Sequence, residues 1–240
     1  MNIKPLRIID ATQITNKPGG GHSWQGCLTG CTKAVMLKPN TTARDEIDTS
    51  GIALIHVEVG KDAEVRTKKE RASTLALIGR IAALADSKKP GIRKVWYAPR
   101  ACRAEFHAFM LGDNRQAKAV NAWDAENAAL VEAGFPGVGE VFVDLYTFES
   151  IHASLAARAT HAMIQWTGRK VKALPIGCLR YQDTGRVMTL AEARAYIGVL
   201  HRLSPTGEVA IFDLKHDGTP DDYGTSPVAR MIETFAKEGL

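Results

Sequence analysis

The chain has 240 residues, of which 45% are apolar and 24% charged. That balance excludes a disordered or collagen-like polymer and leaves enough chain for one sizeable core. The formal net charge of +5 suits an anionic partner. The basic residues are dispersed, however: Lys68-Lys69, Lys88-Lys89 and Arg169-Lys170 each lie on or beside a predicted helix. This argues against nucleic acid and for solvated helix faces.

In MNIKPLRIID, Pro5, Arg7 and Asp10 interrupt any apolar leader, so a cytoplasmic location is expected. No run approaches the roughly eighteen apolar residues of a membrane span, and no membrane contact is expected. Leu6 to Ala11 is the first strand candidate. The stretch Pro18-Gly19-Gly20-Gly21-His22 is Gly-rich but lacks the Gly-Lys-Ser/Thr ending of a phosphate loop. His22, Cys27 and Cys31 have half the spacing of a zinc site, with no second half downstream, and Cys102 and Cys178 stand apart. Neither a metal nor another cofactor is expected. Lys33 to Lys38 is a second strand candidate, with no good helix between the two.

From residue 51 the pattern becomes regular. Gly51 to Gly60 is a β-branched apolar run suited to a strand buried on both faces. Lys68 to Ala85 places apolar residues at helical spacing and stops before Pro90-Gly91. Lys94 to Ala98 reads as a strand, Ala117 to Ala133 as a helix and Glu140 to Tyr146 as a strand. Ser150 to Trp166 follows as a helix, then Lys170 to Leu179 as a strand. Thr189 and Glu192 form a capping-box pattern for a helix running to Leu203. Glu208 to Asp213 is the last strand and Pro227 to Lys237 the last helix. This β-α alternation requires parallel strands joined by crossovers. The expected fold is a single α/β domain over residues 1–240, a parallel (β/α) barrel of the TIM type. It has seven strands, with an irregular part at 1–50 and regular repeats over 51–240. An open doubly wound sheet is the structural alternative.

In such a barrel the working side chains stand at the strand C-terminal ends. Those positions are His56 and Glu58, on one strand face, then Tyr97, then Asp144 and Tyr146. Arg180, Tyr181 and Asp213 follow on the last two strands. Carboxylates, tyrosines and an arginine together suit a glycan or another polar small-molecule ligand. Glu58, in an apolar strand, reads equally as a general acid or as a rim carboxylate paired with a residue such as Arg100. Asp144 reads as a second carboxylate or a loop anchor. Arg180 reads as a clamp for a ligand carboxylate or phosphate, or as a counter-ion of Asp144 or Glu58.

The motifs LIHVEVG, VWYAP, VFVDLYTF and LPIGCLRYQDT, with MTLAEARAYIGVLHRLSPTGEVAIFD after them, resemble in order the hyaluronidase-like glycoside hydrolases and their bacterial or phage-encoded relatives. The resemblance spans Gly51 to about Asp217. It implies a distorted barrel that cleaves N-acetylhexosamine-containing glycans, with Glu58 as general acid/base and the substrate acetamide as nucleophile. By the same resemblance Tyr97, Tyr146 and Tyr181 line the cleft. His56 stands where the family has an acetamide-orienting aspartate, and Asp213 where it has a tryptophan. These departures make Asp144 the candidate second carboxylate. The alternative is a non-catalytic carbohydrate-binding or structural protein on a degenerate barrel.

Overall fold

A computed structural model describes residues 4–14, 28–44, 49–57, 67–97, 129–130, 132–145, 171–181, 183–215 and 224–240. At 13, 14, 144, 145, 214 and 215 it describes the backbone alone. Seven strands form a closed, wholly parallel barrel: β1 (Arg7–Asp10), β3 (Thr32–Leu37), β4 (Ile52–Ile55), β5 (Lys94–Tyr97), β6 (Glu140–Leu145), β7 (Lys172–Gly177) and β8 (Glu208–Ile211). The pairs Arg7↔Glu208 through Asp10↔Ile211 join the last strand to the first, which removes the open-sheet alternative. The TIM-type expectation and the seven-strand count both hold. Two-residue strands β2 (Gln13–Ile14) and β9 (Leu214–Lys215) pair in parallel just past the β1–β8 seam, a feature too short to show in sequence periodicity.

The strands alternate between two buried environments, as a barrel with helices outside demands. Ile9, Ala34, Met36, Leu54, Val95, Phe142, Leu174, Ile176 and Ala210 pack together in one cluster. The intervening Ile8, Ala53, Ile55, Trp96, Val141, Val143, Ala173, Val209 and Ile211 pack in a second, with the helices. The first set is the barrel interior and the second the strand–helix layer.

Three described helices cover that outer layer: α1 (Lys68–Lys88), α2 (Leu190–Leu203) and α3 (Pro227–Glu238). Each starts on a hydroxyl cap, Thr67, Thr189 or Ser226, whose side chain accepts a first-turn amide. The expected capping box at Thr189 and Glu192 is present. α2 lies very close to β7: a Cβ added at Gly177 would collide with the Tyr196 hydroxyl. That hydroxyl accepts the Cys178 N–H at 3.2 Å, so glycine permits both the approach and the bond. Between β3 and β4, residues 38–44 and 49–51 contain no helix. α1 braces this link instead: Arg80 donates to the Pro39 carbonyl, Lys88 to Ala43 at 2.6 Å and Lys89 to Thr49 at 2.9 Å.

Two element bounds differ from the sequence expectation. β4 ends at Ile55 rather than running to Gly60, and residues 58–60 lie outside the described set. β7 is Lys172–Gly177, shorter at both ends than expected. The predicted helix at 150–166, and most of that at 117–133, fall outside the described residues.

The strand N-terminal ends carry an ionic network. Arg93 binds Glu140 at 2.6 Å and Glu208 at 2.8 Å, and Lys172 reaches the same two carboxylates at 3.1 and 3.4 Å. Thr206 donates its hydroxyl to Glu208 at 3.1 Å. Glu140, Lys172 and Glu208 share strand parity with the interior residues Phe142, Leu174 and Ala210. Charges therefore close one mouth of the barrel, each compensated there. Burial alone would raise the Glu208 carboxyl, but the Arg93 hydrogen bonds and charge, with Thr206 and Lys172, hold it at about 2. Its folded value lies below its ordinary 4.5, so it adds stability above that ordinary value and loses it as pH falls toward about 2. Glu208→Gln is expected to cost about 2 kcal/mol at pH 7. In urea unfolding from pH 7 to 3, the gap between parent and variant narrows below about pH 4.5; parallel stability curves would contradict this origin for the shift.

Candidate functional site

The opposite mouth, at the strand C-terminal ends, gathers most of the described candidate side chains. Leu54 is an interior residue of β4, and His56 follows two positions later on the same face. The His56 N–H donates to the Leu37 carbonyl at 2.9 Å, extending the β3–β4 ladder past the end of the strand. The register Ile55↔Trp96 then sets His56 beside Tyr97. Their ring centroids are 5.3 Å apart, tilted by 34°. Tyr97 packs with the interior cluster and is nearly buried, while His56 is half-buried. An imidazole and a phenol thus stand side by side on adjacent strands.

Across the barrel, Cys178 continues the interior face of β7, and Arg180 follows two residues later, bridged to Val187 by an antiparallel contact. Arg180 grips Asp213, just beyond β8, with both edges of the carboxylate: Nε to Oδ1 at 2.7 Å and Nη2 to Oδ2 at 3.2 Å. Asp213 is completely buried, whereas 34% of the Arg180 side chain remains exposed. The structure pairs Arg180 with Asp213, a partner the sequence reading does not name for it. Burial pushes the Cys178 thiol up to about 12; the Asp213 charge adds to this and Arg180 opposes it. Cys178 therefore stays a thiol at neutral pH and is no nucleophile.

Tyr181 is oriented differently. Its hydroxyl donates to Glu192 at 3.2 Å, and the Arg186 guanidinium lies 4.6 Å over its ring. Burial and the Glu192 charge raise the phenol pKa, while Arg186 and the Thr189 cap hold the Glu192 carboxyl well below the usual range. This cluster fastens the 180–187 turn to the start of α2. Of the remaining candidates, Asp144 lies in β6 opposite Ile176, with its side chain beyond what is described. Glu58 and Tyr146 lie outside the described residues, as do His22 and Cys27. Among the described residues no group of three His, Cys, Asp or Glu side chains is placed to hold a metal, and no helix is long and apolar enough to cross a membrane.

Sequence reading does not single out Asp10, which anchors the chain leaving β1. It is completely buried, and Oδ1 accepts the Thr12 hydroxyl and the Thr12 N–H, the latter at 3.0 Å. Oδ2 accepts the Leu28 N–H at 2.9 Å, reaching 18 residues along the chain. The available signal was an acidic residue closing an apolar strand two positions before a threonine, a local turn pattern.

No family model matches this chain, and no curated protein matches it. Among solved structures it is similar to bee venom hyaluronidase in a monoclinic crystal, with 13% identity, TM-score 0.43, and coverage of 77% of this chain and 68% of that one. It is similar as well to bee venom hyaluronidase in complex with a hyaluronic acid tetramer, with 12% identity, TM-score 0.43, and coverage of 78% and 67%. The barrel assignment rests on the strand order and register, and likenesses at these TM-scores lend the site no residue.

Asp10→Ala is expected to orphan two buried backbone donors, at about 1–3 kcal/mol each, and to lower the unfolding midpoint accordingly. Unfolding in urea checks this, and an unchanged midpoint would show that Asp10 does not hold the segment.

Proposed function

We propose that the chain is a glycoside hydrolase-like barrel acting on an N-acetylhexosamine-containing glycan, with Glu58 as general acid/base and Asp144 as the second carboxylate. The observation that carries the reading is the His56–Tyr97 pair at the C-terminal mouth of a closed parallel barrel. Glu58 follows His56 by two residues in the sequence, and the short motifs around both resemble the hyaluronidase-like enzymes. The half-buried histidine would offer a hydrogen-bonding edge to a sugar, with the buried tyrosine ring packed against it. A carboxylic acid at Glu58 would protonate the leaving glycosidic oxygen, and a second carboxylate would balance the charge developing on the sugar ring. No cofactor enters this chemistry.

A second reading follows from one observation, the histidine at position 56 where the resemblance implies an aspartate. A neutral or cationic imidazole does not stabilise a cationic intermediate formed from the substrate's acetamide. The barrel would then bind a glycan without cleaving it.

The two readings separate in one assay, release of reducing ends from N-acetylglucosamine- and N-acetylgalactosamine-containing oligosaccharides. Hydrolysis is expected in the parent, with a drop of about 10²–10⁴-fold in Glu58→Gln at unchanged circular dichroism. Release that Glu58→Gln leaves intact would remove Glu58 from its role. Binding without release would favour the second reading.

A further inference from the structure

We propose that the hairpin following β7 is a strap at the C-terminal mouth, latched to α2 by the carboxylate of Glu192 and loosened by salt. This device does not depend on what the mouth binds. One arm runs out from Leu179 to Tyr181 and the other returns from Arg186 to Met188. They pair through the Tyr181 N–H on the Arg186 carbonyl at 3.0 Å and the Met188 N–H on the Leu179 carbonyl at 3.0 Å, and the Gly185 N–H meets the Tyr181 carbonyl at 2.8 Å. The base is rooted, because Leu179 and Met188 are buried with the strand–helix layer. The outer end, residues 183–186, is exposed.

One carboxylate reaches both arms. Glu192 Oε1 accepts the Tyr181 hydroxyl at 3.2 Å and Arg186 Nη2 at 2.9 Å, and Oε2 accepts Arg186 Nη1 at 3.1 Å. Oε2 also accepts the Thr189 N–H at 2.7 Å, which closes the capping box of α2. The hairpin is thereby tied to the first turn of a helix packed on β7 and β8. The Arg186 and Glu192 side chains are 39% and 37% exposed, so counter-ions reach the pair and weaken it. At the opposite mouth only 8% of the Glu208 side chain is exposed, and salt screens that network much less. The strap is held by a salt-sensitive interaction, whereas the barrel beneath it is not.

The test is amide hydrogen exchange of the full chain, read residue by residue at about 0.05 and 1 M sodium chloride. The reference is the Ala11 amide, bonded to the Ile211 carbonyl across the barrel seam. In the parent, the Tyr181 and Gly185 amides are expected to exchange about two- to fivefold faster at high salt, relative to Ala11. Glu192→Gln removes the charge and keeps the capping box, since glutamine serves at that position. It should show the faster exchange at both salt concentrations, with the Ala193 amide of α2 still protected. Arg186→Gln removes the other charge from an exposed position and should behave alike. No salt response in the parent, or the same response in the parent and both variants, would overturn the latch. Faster exchange that extends equally to Ala11 would overturn it as well, because the whole barrel rather than the strap would then be opening.

Discussion

Arg93 holds Glu140 and Glu208 together at the N-terminal mouth, and the rest of the architecture depends on where that charge sits. Side chains alternate along a strand, so slipping any of these strands by one residue would exchange its interior and outer faces. Glu140 and Glu208 would then face the apolar strand–helix layer without Arg93. The desolvation cost of an unpaired carboxylate there exceeds what any apolar contact returns. The network therefore selects the register in which Phe142, Leu174 and Ala210 fill the interior. That register also carries His56, Tyr97 and Arg180 to the opposite mouth.

The C-terminal mouth has its own anchors. Asp10 ties the exit of β1 to Leu28, Asp213 holds Arg180, and the Gly177–Tyr196 approach brings α2 onto β7 at the base of the Arg180 turn. Each uses a buried polar group whose bonds are satisfied locally, the condition under which burial of such groups is tolerable. Rigid supports of this kind allow side chains at strand ends to keep fixed positions relative to one another.

Much of this was legible in the residues. The strands are short apolar runs bounded by turns, the signature of a sheet buried on both faces. That the strands carrying His56 and Tyr97 are neighbours follows from strand order, and the register Ile55↔Trp96 sets the two rings side by side. Other features were hidden for physical reasons. Arg93, Glu140, Lys172 and Glu208 stand at or beside strand starts, where charge ordinarily marks an exposed boundary. The clue was their alternation of sign across strands that pair in sequence order. The two-residue pair β2–β9 is shorter than any hydrophobic period. The Arg180–Asp213 bond joins residues 33 apart, and several counter-ions were equally compatible with the sequence. Tyr181 shows the limit of reading strand ends: one residue past Arg180, the chain has turned, and its hydroxyl meets α2 instead.

The most direct measurement of the division between the two mouths is side-chain nuclear magnetic resonance with an N-acetylhexosamine oligosaccharide as titrant. The account predicts saturable shifts in the His56 imidazole and Tyr97 ring signals, with the Arg93 Nε–H signal unmoved. Shifts at Arg93 with none at His56 or Tyr97 would contradict it and move the working end of the barrel to the other mouth.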